Sequence, residues 1–213
     1  AEKVGVTADN LRGEQGKTAC ETGTTPAAPA IAMSLDTAVE RLRLSAPSIQ
    51  DANTERWLTR DNLRTFLELY EQRRLHAVFQ PIIDFQSHRF LGYEGLIRGP
   101  VDSPLHAPKL LLGLAQECGL TVEFERLCRE IVLRDFAQAG LAGRLFLNVS
   151  VGCLADPRFI DGETTRLLQT LRMRPDHIVI EITENQEVAD FAALHEVLTH
   201  YRAQGYQIAI DDL

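Results

Sequence analysis

The chain has 213 residues, of which 45% are hydrophobic and 24% charged, with 14 Gly and 9 Pro. This is the balance of a globular domain with a sizeable core, and it excludes a collagen-like, disulfide-scaffold or wholly disordered chain. The net charge of -8 argues against broad binding of DNA, RNA or an anionic membrane surface. No run of about 18 apolar residues is present and the N-terminus lacks a signal-peptide pattern, so no membrane segment is expected. Cys20, Cys118, Cys128 and Cys153 are scattered without a CxxC pair, which fits a reducing cytoplasm better than a disulfide framework or a zinc knuckle.

Residues 1–33 are rich in Ala, Thr, Gly and Glu without a sustained period, and are read as a flexible leader. An N-terminal helical segment is expected over 34–75. Leu35 to Leu44 forms a short helix there, and Thr54 to Leu75 a longer one with Trp57, Leu58, Leu63, Phe66, Leu67 and Tyr70 at helical spacing. From about residue 76 short apolar runs alternate with longer amphipathic segments. Ala77 to Phe85 and Phe90 to Arg98 read as strands joined by the polar turn Gln86 to Arg89. Ala107 to Cys118 reads as a helix. Thr121 offers an N-cap to a second helix that stops at Gly140. The pattern continues with a strand at Arg144 to Ser150, a helical stretch at Gly162 to Arg172 and a strand at His177 to Glu184. A helix from Glu187 to Gln204 and a strand from Gln207 to Leu213 complete it. Alternation of helices with nearly all-apolar strands is the signature of a buried parallel sheet or barrel, an α/β class.

In such folds reactive groups gather at the C-terminal ends of the strands. Glu94, Asn148, Glu181 with Glu184, and Asp211 with Asp212 all fall late in four separate predicted strands. One carboxylate at a strand end is as a rule a solvated loop residue or a cap; four strand ends together are a coincidence that needs a cause. Carboxylates crowded without a counterion repel, whereas an oxygen-rich cluster is what a hard divalent cation such as Mg2+ or Mn2+ requires. Two adjacent aspartates point to a bridge between two ions, an arrangement suited to activating water for phosphoryl displacement. His195 sits in the apolar stripe of the last helix and is expected to be a packed core histidine.

Five segments in order carry a resemblance: Phe79-Gln80-Pro81-Ile82-Ile83-Asp84, then Gly92-Tyr93-Glu94-Gly95-Leu96-Ile97-Arg98-Gly99-Pro100, Leu147-Asn148-Val149-Ser150, Ile180-Glu181-Ile182-Thr183-Glu184-Asn185 and Ile208-Ala209-Ile210-Asp211-Asp212-Leu213. From about residue 77 onward the chain resembles the EAL-domain family of cyclic di-GMP phosphodiesterases. The resemblance implies a TIM-like (β/α) barrel whose first strand runs against the others, here spanning 76–213 and breaking off after about the fifth strand. It also implies Mg2+- or Mn2+-dependent hydrolysis of cyclic di-GMP to linear pGpG in bacterial signal transduction, with a two-metal site, and often a homodimer. By the same resemblance Glu94, Asn148, Glu181, Asp211 and Asp212 bind metal. Glu94 and Glu184 form the catalytic set, Glu184 supporting a loop needed for metal binding and dimer coupling. Arg98 holds a phosphate oxygen, a role suited to a guanidinium fork, and Gln80 and Leu96 line the nucleotide pocket. The segment from Pro100 to Pro108 resembles a loop variant found in EAL domains joined to further signalling domains. Gly95 stands where the family motif has alanine, a change expected to cost little beyond backbone freedom. The rival expectation is a catalytically inactive EAL-like module that binds cyclic di-GMP or a protein partner as a regulator.

Overall fold

Leu63, Phe66, Leu67 and Tyr70 recur every three or four residues, and the helix they dictate, α1 (Arg60–Glu71), buries all of them. In this computed structural model the described residues are 6–7, 57–154, 156, 162–183 and 191–211; the expected helix at Leu35 to Leu44 lies outside them. The chain falls into two compact units, one of 1–8, 76–97 and 125–213 and the other of 9–75 and 98–124.

In the second unit α1 begins later than its apolar period. Thr59 is the N-cap, its Oγ1 accepting from the Asn62 backbone N–H at 3.1 Å, and this hydroxyl rather than the upstream hydrophobes defines the start. Helix α2 (Pro108–Glu117) opens on proline, whose missing N–H costs nothing in a first turn, and buries Leu111, Leu114 and Ala115. Phe66 and Tyr70 pack on Phe124 with ring centroids 5.2 and 6.4 Å apart. Each leucine buried in this way stabilises the fold by about 1.5–3 kcal/mol.

The first unit is built on a sheet of strands β1 (Val6–Thr7), β2 (His76–Asp84), β3 (Arg89–Arg98), β4 (Arg144–Asn148), β5 (Ile178–Thr183) and β6 (Gln207–Asp211), neighbours in that order. The two-residue β1 pairs antiparallel with Phe79 and Val78. β2 and β3 are joined through only Phe85, Gln86, Ser87 and His88, a connection short enough to permit only an antiparallel pair. Asp84 shapes that turn, accepting from the Gln86 N–H at 3.0 Å and from the Ser87 hydroxyl. β3 to β6 pair in parallel, linked by α3 (Thr121–Ala139), the one-turn α4 (Val151–Leu154) with α5 (Glu163–Thr170), and α6 (Phe191–Ala203). The strand–helix alternation expected from the sequence is therefore present, with β2 running against both of its neighbours.

Several boundaries move. Helix α3 starts at Thr121 itself, because the Leu120 carbonyl already accepts from the Phe124 N–H at 2.8 Å. The strand expected to run to Ser150 ends at Asn148, since Ser150 turns to cap α4, its Oγ accepting from the Cys153 N–H at 3.2 Å. His177 closes a 3-10 turn, Pro175–His177, before β5. At the end of α3, Gly140 adopts φ 62° with open space around it, a backbone conformation rather than a packing need.

Period 2 divides the sheet into two faces. Phe79 of β2 and Tyr93 of β3 both set their rings against Phe136 of α3, at 5.4 and 6.3 Å. Odd positions of these strands therefore face the helix and even positions the other side. Through the register, Leu145 and Leu147 of β4 and Ile178, Ile180 and Ile182 of β5 continue the helix face. Ile178, Val179, Ile180 and Ile182 are all buried, as a parallel strand covered on both faces should be. Among the described residues no helix is long and apolar enough to cross a membrane.

Candidate active site at the strand ends

The register assembles the opposite face. Glu94 lies level with Phe146, Asn148 two residues further along β4 is level with Glu181, and Thr183 two residues beyond is level with Asp211. These partner positions share one parity, so Glu94, Asn148, Glu181 and position 211 belong to the same face on four adjacent strands. Neighbouring strands are about 4.8 Å apart. The steps from β3 to β4 and from β5 to β6 each climb two residues along the strand, while Asn148 and Glu181 are level; such stagger is what tilted barrel strands need to bring these positions to one level. Gln80 is on this face of β2 and Leu96 on this face of β3, both half-buried.

Glu94 is 7% exposed and Glu181 8%, unusual burial for carboxylates. Asn148 is exposed, and its Nδ2 donates to Glu94 Oε1 at 2.9 Å. That commits the amide's donor end to Glu94 and leaves Oδ1 as its remaining acceptor. Glu181 makes other polar interactions, yet its buried Oε2 takes no hydrogen bond among the described residues. A buried carboxylate oxygen without a donor costs free energy unless a cation or proton meets it. Two buried carboxylates and an amide oxygen on adjacent strands are all hard oxygen donors, the set that Mg2+, Mn2+ or Ca2+ accepts and that suits zinc or copper poorly.

The set is partial. Among the described residues no group of three or more His, Cys, Asp or Glu side chains stands close enough to hold a metal. Glu184 and Asp212 lie outside the described residues, and Asp211 is described only as the last residue of β6. Arg98 is the last residue of β3 and belongs to the second unit. The structure thus brings together Glu94, Asn148 and Glu181, adds Gln80, Leu96 and position 211 by face, and leaves Arg98, Glu184 and Asp212 unplaced relative to them.

The described cysteines do not suit nucleophilic chemistry. Burial pushes the Cys153 thiol up to about 12, with the Glu125 carboxylate adding to the effect, and Cys128 rises further for the same reasons. Cys118, also buried, is the third free cysteine among the described residues, and all three behave as small core residues. His195 corrects an expectation. It is exposed on α6, whose buried contact is Tyr201, with the Tyr201 hydroxyl donating to the Leu154 carbonyl at 2.8 Å. The apolar stripe of α6 is narrower than its composition implies, and His195 falls outside it.

Sequence reasoning passed over Glu125 and Ser150. Glu125 Oε2 accepts from the Ser150 N–H at 3.1 Å, tying α3 to the turn just beyond Asn148. The only signal was a carboxylate in the first turn of a helix, which is commonplace there.

The family description of the EAL domain matches residues 60–213. The chain belongs to the EAL domain family. It is 28% identical over 159 residues to the bifunctional diguanylate cyclase/cyclic di-GMP phosphodiesterase MucR of Pseudomonas aeruginosa, covering 70% of this chain and 22% of MucR. It is 29% identical over 141 residues to the cyclic di-GMP phosphodiesterase PA2567 of the same organism, covering 64% of this chain and 24% of that one. The chain thus spans about a quarter of the length of these curated relatives. Among solved structures it is similar to BlrP1 of Klebsiella pneumoniae in a calcium and cyclic di-GMP complex, 25% identical with TM-score 0.58, covering 66% of this chain and 35% of BlrP1. A manganese and cyclic di-GMP complex of BlrP1 aligns with TM-score 0.54. The sheet and helices described above are those of an EAL-type α/β barrel, as expected from the sequence.

Proposed function

We propose that this chain carries the metal-dependent hydrolysis of cyclic di-GMP to linear pGpG. The observation that carries the reading is the bond between Asn148 Nδ2 and Glu94 Oε1, level with the buried carboxylate of Glu181 on the same face of the sheet. The relatives named as cyclic di-GMP phosphodiesterases and the BlrP1 complexes with calcium or manganese and cyclic di-GMP support it.

In this reading Glu94, Asn148, Glu181, Asp211 and Asp212 hold one or two Mg2+ or Mn2+ ions. Bound there, the ions polarise a phosphate oxygen and lower the pKa of water. The residues do the rest. Glu94 and Glu184 make up the catalytic set. Arg98 offers a fork of N–H donors to a phosphate oxygen, and Gln80 and Leu96 line the nucleotide pocket. A water oxygen bonds to one phosphorus, the bond from that phosphorus to a ribose 3′-oxygen breaks, and the 3′-oxygen leaves with a proton. One of the two phosphodiesters opens, which yields pGpG. The reading also includes a homodimer, further signalling domains in the full protein and a cytoplasmic location.

The test is turnover of cyclic di-GMP by the purified full-length protein with Mn2+, with chelator, and after Glu94→Ala. Hydrolysis that chelator abolishes and Glu94→Ala reduces by about a hundredfold or more is expected. Binding of intact cyclic di-GMP without metal and without turnover would establish the regulatory module instead.

A further inference from the structure

We infer that Glu125 is a positioning residue for the metal-binding face: by anchoring the turn that follows β4 it holds Asn148 against Glu94. The functional side of this rests on the phosphodiesterase reading above; the geometric side rests on hydrogen bonds alone.

Asn148 is the last residue of β4 and is exposed, so packing does not set its direction. The backbone on either side must. Up to Asn148 the strand is held by its ladder to β5. Beyond it two bonds take over: the Val149 N–H donates to the Glu181 carbonyl at 3.0 Å, and the Ser150 N–H to Glu125 Oε2 at 3.1 Å. Ser150 then starts α4, with its Oγ accepting from the Cys153 N–H and its carbonyl from the Leu154 N–H at 3.0 Å. The nearby Glu125 carboxylate also helps the Cys153 thiol keep its proton. Glu125 therefore anchors the start of a one-turn helix too short to be stable by itself.

Glu125 is in turn held. One helical turn along α3, the buried Arg129 guanidinium attracts it, while Arg129 Nε donates to Thr164 Oγ1 of α5 at 3.1 Å. Arg126 of α3 pairs with Glu163 of α5 at 2.9 Å. α3 and α5 thus form a braced frame from which one carboxylate reaches the strand end. Partners at this remove from a metal typically change its affinity by about 10–100-fold when removed.

The experiment compares Glu125→Leu, Glu125→Gln and Asn148→Ala in the full-length protein. Mn2+ affinity is read without cyclic di-GMP by electron paramagnetic resonance of free Mn2+, and amide exchange of residues 149–154 by mass spectrometry. Glu125→Leu removes the acceptor and should weaken Mn2+ binding by about 10–100-fold. Glu125→Gln keeps an oxygen for the Ser150 N–H and should stay within about threefold of the parent. In the Asn148→Ala background Glu125→Leu should cost less than about twofold further, because both changes act through one group. Amides 149–154 should exchange about tenfold faster in Glu125→Leu while those of β3 and β5 do not. A residue that merely supports the fold would lower stability and leave the Mn2+ affinity of the folded protein unchanged, and that outcome overturns the inference. So does a full additional loss in the Asn148→Ala background. If the parent takes up no Mn2+, the phosphodiesterase reading falls and the exchange data alone judge the anchor; unchanged protection in Glu125→Leu then refutes it. Should Glu125→Leu not fold, Glu125→Asp withdraws the same oxygen while keeping the charge, and the same readouts apply.

Discussion

The two faces of the first unit's sheet come from the same strands and obey opposite rules. The face toward α3 is closed by tight apolar contact, with Tyr93, Leu145, Leu147 and the isoleucines of β5 on it. The other face carries the buried carboxylates Glu94 and Glu181 beside the exposed amide of Asn148. The first face is optimised for packing, and its residues should answer mutation with loss of stability. The second holds groups whose burial costs stability, and its residues should answer with loss of function alone.

The largest expected effect tests the second face. Glu181→Gln should reduce cyclic di-GMP hydrolysis by about a thousandfold while thermal stability stays equal or rises, because a neutral amide relieves a buried carboxylate. Activity assays beside calorimetry check it, and a matching collapse in stability would erase the contrast between the faces.

Next comes backbone contact between strands. A Cβ on Gly92 would lie 2.0 Å from the Arg144 carbonyl oxygen, so Gly92→Ala must push β3 from β4. A loss of about 3 kcal/mol or more is expected in denaturant unfolding.

The site where the chain departs from its family's motif sharpens the comparison. A Cβ on Gly95 would stand 2.3 Å from Val132 Cγ1 and 3.2 Å from Leu145 Cδ1. Val132 of α3 occupies the room that an alanine methyl would take, and a β-branched side chain on a helix has little freedom to yield. Restoring the family's residue by Gly95→Ala should therefore destabilise by about 1–3 kcal/mol, and adding Val132→Ala should recover much of it, a coupling that a double-mutant cycle measures. The exchange of alanine for glycine is thus a packing swap as well as a matter of backbone freedom.

The smallest effect concerns pH. Asp135 on α3 accepts the Ala77 N–H at 2.8 Å, and burial raises its carboxyl above the ordinary 3.8. The folded state then holds the proton more tightly than the unfolded chain. Its ionisation costs stability as pH climbs from about 3.8 through the raised value, and the cost disappears below that window. Asp135→Asn keeps the acceptor and removes the titration. Its stability relative to the parent should improve between pH 3 and pH 7, by less than any change above, as unfolding at several pH values will show.

The alternation of strands and helices, the identity of the strand-end carboxylates and the ordered motifs were all legible in the chain, because hydrophobic period and residue type are local. They reached the element types, and the order of segments reached the family. What they could not reach lies across long sequence separations. Asn148 meets Glu94 over 54 residues and Ser150 meets Glu125 over 25. His195 sits in an apolar run and is nonetheless exposed. Ser150 follows a strand pattern and yet caps a helix. Each of these depends on register and on which element packs against which. Period 2 says that a strand has two faces, but only its partners decide which face is covered by a helix and which is left for chemistry.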